Sequence, residues 1–347
     1  MKPRLSILIP CYRVQNYIRQ CLDSIISINL PSDEYEVLCF DDCSPDATHC
    51  ILDEYAAKYD NIHVFHSAAN IGPGGGRNCL FEQSKGRWIW FVDGDDMVIS
   101  ENVPDLLIQA ENTNVDVLVF NLKEINADQS EILPTYSLPQ SVVGLGRELA
   151  DDVFNGGLVN NMGYPVRFLI NRSYYERIKL TFPRNMNYGE DTAWMAKLVL
   201  MSERMVTTST YGYVYWHHGD STCGTLSQRY PGRTIYEKCI MTTKQLFDLV
   251  EEFRTRYQEE LDECWLNYAD KIEKSATNHY LNNLPIMLCR TTTRERAVFY
   301  KKFYECDNAC EIHDKANRIT RMCMLPFVGQ LASGCLSIIY KISHTHK

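Results

Sequence analysis

Three carboxylates crowd one turn, Asp93-Gly94-Asp95-Asp96, directly after the apolar run Trp88-Ile89-Trp90-Phe91-Val92. Like charges packed this closely repel one another unless a cation or a set of backbone donors offsets them. Carboxylates alternating along an extended segment can each give an oxygen to Mg²⁺ or Mn²⁺ while phosphate oxygens and water complete the shell. The plainer alternative is an acidic turn that caps the next helix.

Four more clusters have chemical potential. Asp41-Asp42 follows Val37 to Phe40, and Asp46 precedes a helical stretch around Ile51, where it is expected to act as the N-cap. Capping explains Asp46 better than Asp42, whose carboxylate could accept the N3 hydrogen of a pyrimidine. Gly72 to Arg77 reads as a flexible loop with a guanidinium beside a helix start, suited to close approach to a nucleotide or phosphate. It is neither a Walker A loop nor a dinucleotide fingerprint. Glu190-Asp191 opens a helix; one acid can favour its N-terminus while the other takes a proton from an attacking hydroxyl. His217-His218 ends an aromatic run, where a ring nitrogen could meet a metal or a diphosphate, or simply face solvent beside a turn.

These clusters need a scaffold, and the apolar pattern supplies one. Short runs at Leu5 to Ile9, Val37 to Phe40, Ile62 to Phe65, Trp88 to Val92 and Val115 to Phe120 alternate with helical spacing, such as Val14, Tyr17, Ile18, Cys21, Leu22, Ile25. Strands buried on both faces and joined by amphipathic helices indicate an α/β fold with a doubly wound, mostly parallel sheet. Ligands of such sheets lie beyond the carboxyl ends of the strands, where the polar clusters fall. From Asn121 to Asn161 the pattern weakens into loops or antiparallel pieces. We expect a catalytic domain over residues 1–225 and a helical C-terminal region over 226–347.

A chain of 347 residues with 45% hydrophobic residues and a formal charge of −9 can bury a core and offers no broad basic surface, which excludes nucleic acid as the expected partner. The 14 cysteines are dispersed, often within apolar runs, and read as reduced core thiols without zinc-site spacing. Met1-Lys2-Pro3-Arg4 leads at once into a short β-like run, not a signal peptide, so a cytoplasmic location is expected.

In order and spacing these motifs resemble the family 2 glycosyltransferases, which have the GT-A fold. The resemblance rests on Leu5 to Tyr12, Asn16 to Ile25, Phe40 to Asp46, Asn70 to Asn78, Phe91 to Asp96 and Gly189 to Asp191, across roughly the first 225 residues. It implies an inverting transferase that moves a hexose-type sugar from a nucleotide diphosphate, with UDP expected, to a glycan or lipid-linked acceptor in surface polysaccharide synthesis, using Mn²⁺ or Mg²⁺. By the resemblance Tyr12, with Pro10, would lie against the base, Asp42 would bind the uracil, and Arg77 would help hold the nucleotide. Asp93, Gly94 and Asp95 would form the DxD motif, with Asp95 nearer the metal, Asp96 an added ligand candidate and Asp191 the general base. His218 is favoured over His217 as a further metal ligand. The family often has Ser or Ala where this chain has Gly74 and Gly75, and Trp216 to Ser221 preserves only part of its later motif.

Two rival readings are a noncatalytic relative that binds a sugar nucleotide or glycan, and a nucleotidyltransferase that makes the sugar nucleotide. Intact Asp93, Asp95 and Asp191 argue against the first; Pro10-Cys11-Tyr12, where a basic glycine-rich loop is needed, argues against the second. Between Met322 and Ile342 an apolar stripe flanked by Arg318, Arg321, Lys341 and Lys347 is expected to pack on its own domain or to touch an anionic membrane surface without crossing it.

Overall fold

Leu5, Ile7, Leu8 and Ile9 are completely buried, as a continuous apolar run demands when helices cover both faces of its sheet. This run becomes β1 (Leu5–Cys11), followed by α1 (Ile18–Ile26), β2 (Tyr35–Asp41), α2 (Thr48–Lys58), β3 (Ile62–His66), α3 (Gly72–Gln83) and β4 (Trp88–Phe91). The computed structural model describes residues 2–133, 137–138, 142–153, 165–183, 190–219 and 255. β2 and β4 flank β1 in parallel register, and β3 adds beyond β2 as an edge strand, which is why its burial is partial. α1 turns Ile18, Cys21, Leu22 and Ile25 into the core, the face given by its three-and-four spacing.

The other half begins with β5 (Met97–Val98) and α4 (Val103–Thr113), then β6 (Val117–Ile125), β7 (Glu131–Ile132), β8 (Val142–Gly144) and α5 (Gly146–Val153). It closes with β9 (Phe168–Asn171), α6 (Arg172–Arg177), α7 (Glu190–Leu200) and β10 (Met205–Trp216). The sheet order is β3-β2-β1-β4-β9-β6-β10-β5. β9 is antiparallel to both β4 and β6, and β10 is parallel to β6, so β1, β2, β3, β4, β6 and β10 all run the same way. The α/β class with a mostly parallel sheet is therefore present, with one reversed strand inserted at its centre. Within the segment of weak pattern, β7 and β8 pair antiparallel with β6 and β10.

One expectation needs correction. Gly72 to Arg77 is the first part of α3, not a mobile loop, and Gly74, Gly75 and Gly76 are all buried. Gly72 has φ of 80°, a left-handed value that favours glycine, and Pro73 follows in the first turn, where its missing N–H costs nothing. A Cβ on Gly74 would stand 2.8 Å from the Pro183 carbonyl oxygen, so the glycine here permits close packing.

The chain divides into two units, Met1–Gly224 and Thr225–Lys347. The helical region expected from 226 onward, Thr255 apart, and the Met322 to Ile342 stripe lie outside the described residues. No helix among the described residues is long and apolar enough to cross a membrane.

Candidate active site

β4 ends at Phe91, and the acidic turn that follows is fixed from β10. The Tyr213 hydroxyl accepts a hydrogen bond from the Asp93 N–H at 3.0 Å and donates to Asp96 Oδ2 at 2.8 Å. Asp96 Oδ1 accepts from the Trp216 N–H at 2.8 Å. Asp96 is only 2% exposed, and its burial beside Asp95 and Asp93 raises its pKa well above the usual carboxylate range. Asp95 instead stays partly exposed and meets His218, with Nε2 3.0 Å from Oδ2. The His218 ring is stacked on Tyr17 at 4.0 Å between centroids, whereas His217 turns to Glu124 at 2.6 Å.

A second cluster forms where α3 meets the start of α7. Arg77, 5% exposed, donates to Asp93 Oδ1 at 2.8 Å and to Glu190 Oε1 at 3.0 Å. The guanidinium thus lies among carboxylates in the interior, and its Nε is buried without a hydrogen-bond partner among the described residues. Next to it, Asn78 donates to the Phe182 carbonyl at 2.8 Å and accepts from the Phe182 N–H at 2.9 Å. Phe182 in turn stacks on Trp194 of α7 at 4.4 Å, which helps seat α7 and its acidic first turn against α3. Asp191 is half-buried, and desolvation together with the charge of Glu190 pushes its carboxyl up to about 7, although Arg77 pulls the other way.

At the end of β2, Asp42 accepts from the Ile71 N–H at 2.7 Å and the Gly72 N–H at 2.8 Å. It therefore caps α3 across the sheet edge, a role reserved in the sequence reading for Asp46 on α2. Asp46 has a lesser version of that role, accepting from the Thr48 N–H at 3.1 Å. Burial raises the Asp42 pKa, against the lowering effect of its two backbone donors. Tyr12 follows β1 with 45% of its surface exposed, and its neighbour Cys11 accepts the Asp42 N–H at 2.9 Å, which joins these two strand ends. Pro10 faces the glycines of α3: a Cβ on Gly76 would lie 3.6 Å from its own Cβ. Gly94 packs against the start of α1 and the segment before it, where an added Cβ would meet Ile18 and Val14 at 3.4 Å.

Arg77 pairs with Asp93 and Glu190, and Asp95, Asp96 and Asp191 follow next in the chain, so carboxyls outnumber the cation here and a further cation would ease the entry of a diphosphate. Among the described residues no three His, Cys, Asp or Glu side chains form a ready metal cage. The Asp95 and His218 pair nevertheless suits a divalent ion. The observed 3.0 Å is an ordinary hydrogen-bond distance, and an imidazole nitrogen beside a carboxylate oxygen is a donor set that such ions accept. Such an ion would take few protein ligands and draw the rest from phosphate and water.

An α/β domain with a mostly parallel sheet and carboxylates gathered at the carboxyl ends of its strands, beside an exposed aromatic ring, is of the GT-A type. The glycosyl transferase family 2 model matches residues 6–179, and the chain belongs to that family. It is 31% identical over 215 residues to a poly(ribitol-phosphate) beta-glucosyltransferase of Bacillus spizizenii, covering 61% of this chain and 32% of the relative. It is also 28% identical over 221 residues to the uncharacterized glycosyltransferase EpsJ of Bacillus subtilis, covering 64% and 63%. The chain thus spans less than two thirds of the length of these relatives. The crystal structure of S. aureus TarS 1-349 in complex with UDP-GlcNAc superposes with a TM-score of 0.69 at 20% identity, over 99% of this chain and 92% of that one, a likeness of fold.

Proposed function

We propose that this chain is an inverting glycosyltransferase that transfers a hexose-type sugar from UDP to a hydroxyl of a surface glycan or a lipid-linked acceptor. The observation that carries the reading is the place of Asp191 in the first turn of α7, next to Glu190, which the Arg77 guanidinium joins to Asp93; burial and the Glu190 charge raise its carboxyl to about 7. A base of that strength is ionised for much of its time near neutrality and still holds a proton well once it has taken one. In the proposed step Asp191 removes the acceptor hydroxyl proton as the oxygen attacks the anomeric carbon. The bond from that carbon to the diphosphate oxygen breaks, UDP departs, and one displacement inverts the centre.

Tyr12 would stack on the uracil, and Asp42, already held by two backbone donors, would accept its N3 hydrogen through a remaining lone pair. Asp95 and His218, with Asp93 beside them, would hold Mn²⁺ or Mg²⁺. The bound ion would offset charge on the departing diphosphate. Arg77 is assigned the task of holding Asp93 and Glu190, because both of its bonds go to them rather than outward. The poly(ribitol-phosphate) transferases among the relatives favour a surface polymer as acceptor, and UDP-glucose and UDP-GlcNAc as the donors to try first.

The test is transfer and donor turnover by Asp191→Asn. Nucleotide affinity is expected to persist while turnover falls by about two to four orders of magnitude, the usual contribution of a positioned base. Undiminished transfer by this variant would contradict the assignment.

A further inference from the structure

We propose that the Tyr213 hydroxyl positions the acidic turn, and that Asp96 serves the site through this hydroxyl rather than as a metal ligand. The inference rests on the metal-dependent transfer reading above and goes beyond it by assigning two residues to roles that the motif alone does not give. Tyr213 is completely buried, on a strand well over a hundred positions away from the turn. Its ring lies 6.4 Å from that of Trp90 between centroids, so its place is set by packing and its hydroxyl is aimed rather than free to wander.

One oxygen joins both ends of the turn. It accepts from the Asp93 N–H and donates to Asp96 Oδ2, closing a loop that the turn's own Asp96 N–H to Asp93 carbonyl bond, at 3.2 Å, closes more weakly. Gly94 and Asp95 are held between these points. The other Asp96 oxygen holds the Trp216 N–H, two residues before His218. Both members of the Asp95 and His218 pair therefore take their positions from Asp96: one through the turn, the other through the end of β10. Asp96 is 2% exposed and each of its oxygens holds one donor, so the role its geometry supports is holding Tyr213 and Trp216 in place.

Tyr213→Phe keeps the ring and removes only the hydroxyl. Asp96→Asn keeps an acceptor for Trp216 and loses the one for the hydroxyl proton. The measurement is Mn²⁺ binding in the presence of saturating UDP, followed by the electron paramagnetic resonance of free Mn²⁺, with thermal unfolding as a control. Each variant is expected to weaken Mn²⁺ binding about ten- to a hundredfold, the effect of losing a hydrogen bond to a charged group, while Tm moves by only about 2 to 4 °C. The double variant should be no weaker than the worse single one, because both changes break the same link. Wild-type Mn²⁺ binding by Tyr213→Phe beside loss in Asp96→Asn would overturn the proposal and make Asp96 a ligand. Additive losses would overturn it too, as would a Tyr213→Phe chain that does not fold, since the hydroxyl would then support the whole domain. Wild-type protein that binds no Mn²⁺ with UDP removes the metal dependence from the transfer reading, and this proposal with it.

Discussion

Arg77 and Glu190 stand 113 positions apart in the chain and meet at 3.0 Å in the interior, with Asp93 on the other arm of the same guanidinium at 2.8 Å. This one side chain ties the turn after β4 to the start of α7, so the expected metal-binding and base-bearing segments share a single buried cation.

Removing it should therefore be felt as stability. Arg77→Met leaves Glu190 and Asp93 without their counter-charge, and breaking a buried ion pair from one side costs about 3 to 5 kcal/mol. Urea unfolding of the variant checks this. Arg77→Lys should recover only part of the loss, because an ammonium cannot reproduce the two-armed fork. A loss in Arg77→Met no larger than that of an ordinary surface substitution would show that the cluster does not depend on Arg77.

The raised carboxyl of Asp191 sets a pH dependence with a definite sign. A base works only when ionised, so kcat/KM should fall as pH drops through about 7, where an ordinary aspartate would hold activity far lower. Below that point the decline should approach tenfold for each pH unit, roughly the titration of one group. A kcat/KM profile measured at fixed Mn²⁺, with metal binding followed separately at each pH, checks the limb. A flat profile down to pH 5 would show that the base is not a carboxyl raised to about 7.

Asp42 is expected to matter twice. Asp42→Ala takes away the cap of α3 and should cost about 1 kcal/mol of stability, within the range for lost N-caps. It should also weaken UDP binding while leaving binding of free Mn²⁺ as it was. Calorimetric unfolding and UDP titration separate the two effects. A variant that loses stability but keeps full UDP affinity would leave Asp42 with the cap alone.

The first four strands were legible because each is a short apolar run bounded by polar turns, and parallel strands buried on both faces write themselves into sequence in that way. The carboxylates at their ends were legible for the same reason: chain order places them at one sheet edge. β9 was not foreseen, since Phe168 to Asn171 is too short to show a period. The helical state of Gly72 to Arg77 was hidden by its glycines, which disfavour helix locally. Asp42, 30 positions upstream of Gly72, supplies the compensating cap. Tyr17 read as part of an apolar helix face and Tyr213 as part of an aromatic run, because partners that lie far along the chain, His218 for one and the acidic turn for the other, leave no local mark. Asn78 belonged to a quoted motif, yet its two hydrogen bonds to Phe182 arise from a contact 104 positions long.

The most direct test of the central claim is calorimetric titration of the whole chain with UDP, with and without Mn²⁺, beside the Asp95→Ala variant. The expected result is UDP binding that depends on Mn²⁺ in the wild type and loses that dependence in Asp95→Ala. UDP binding of equal strength with and without Mn²⁺, or none under either condition, would contradict it.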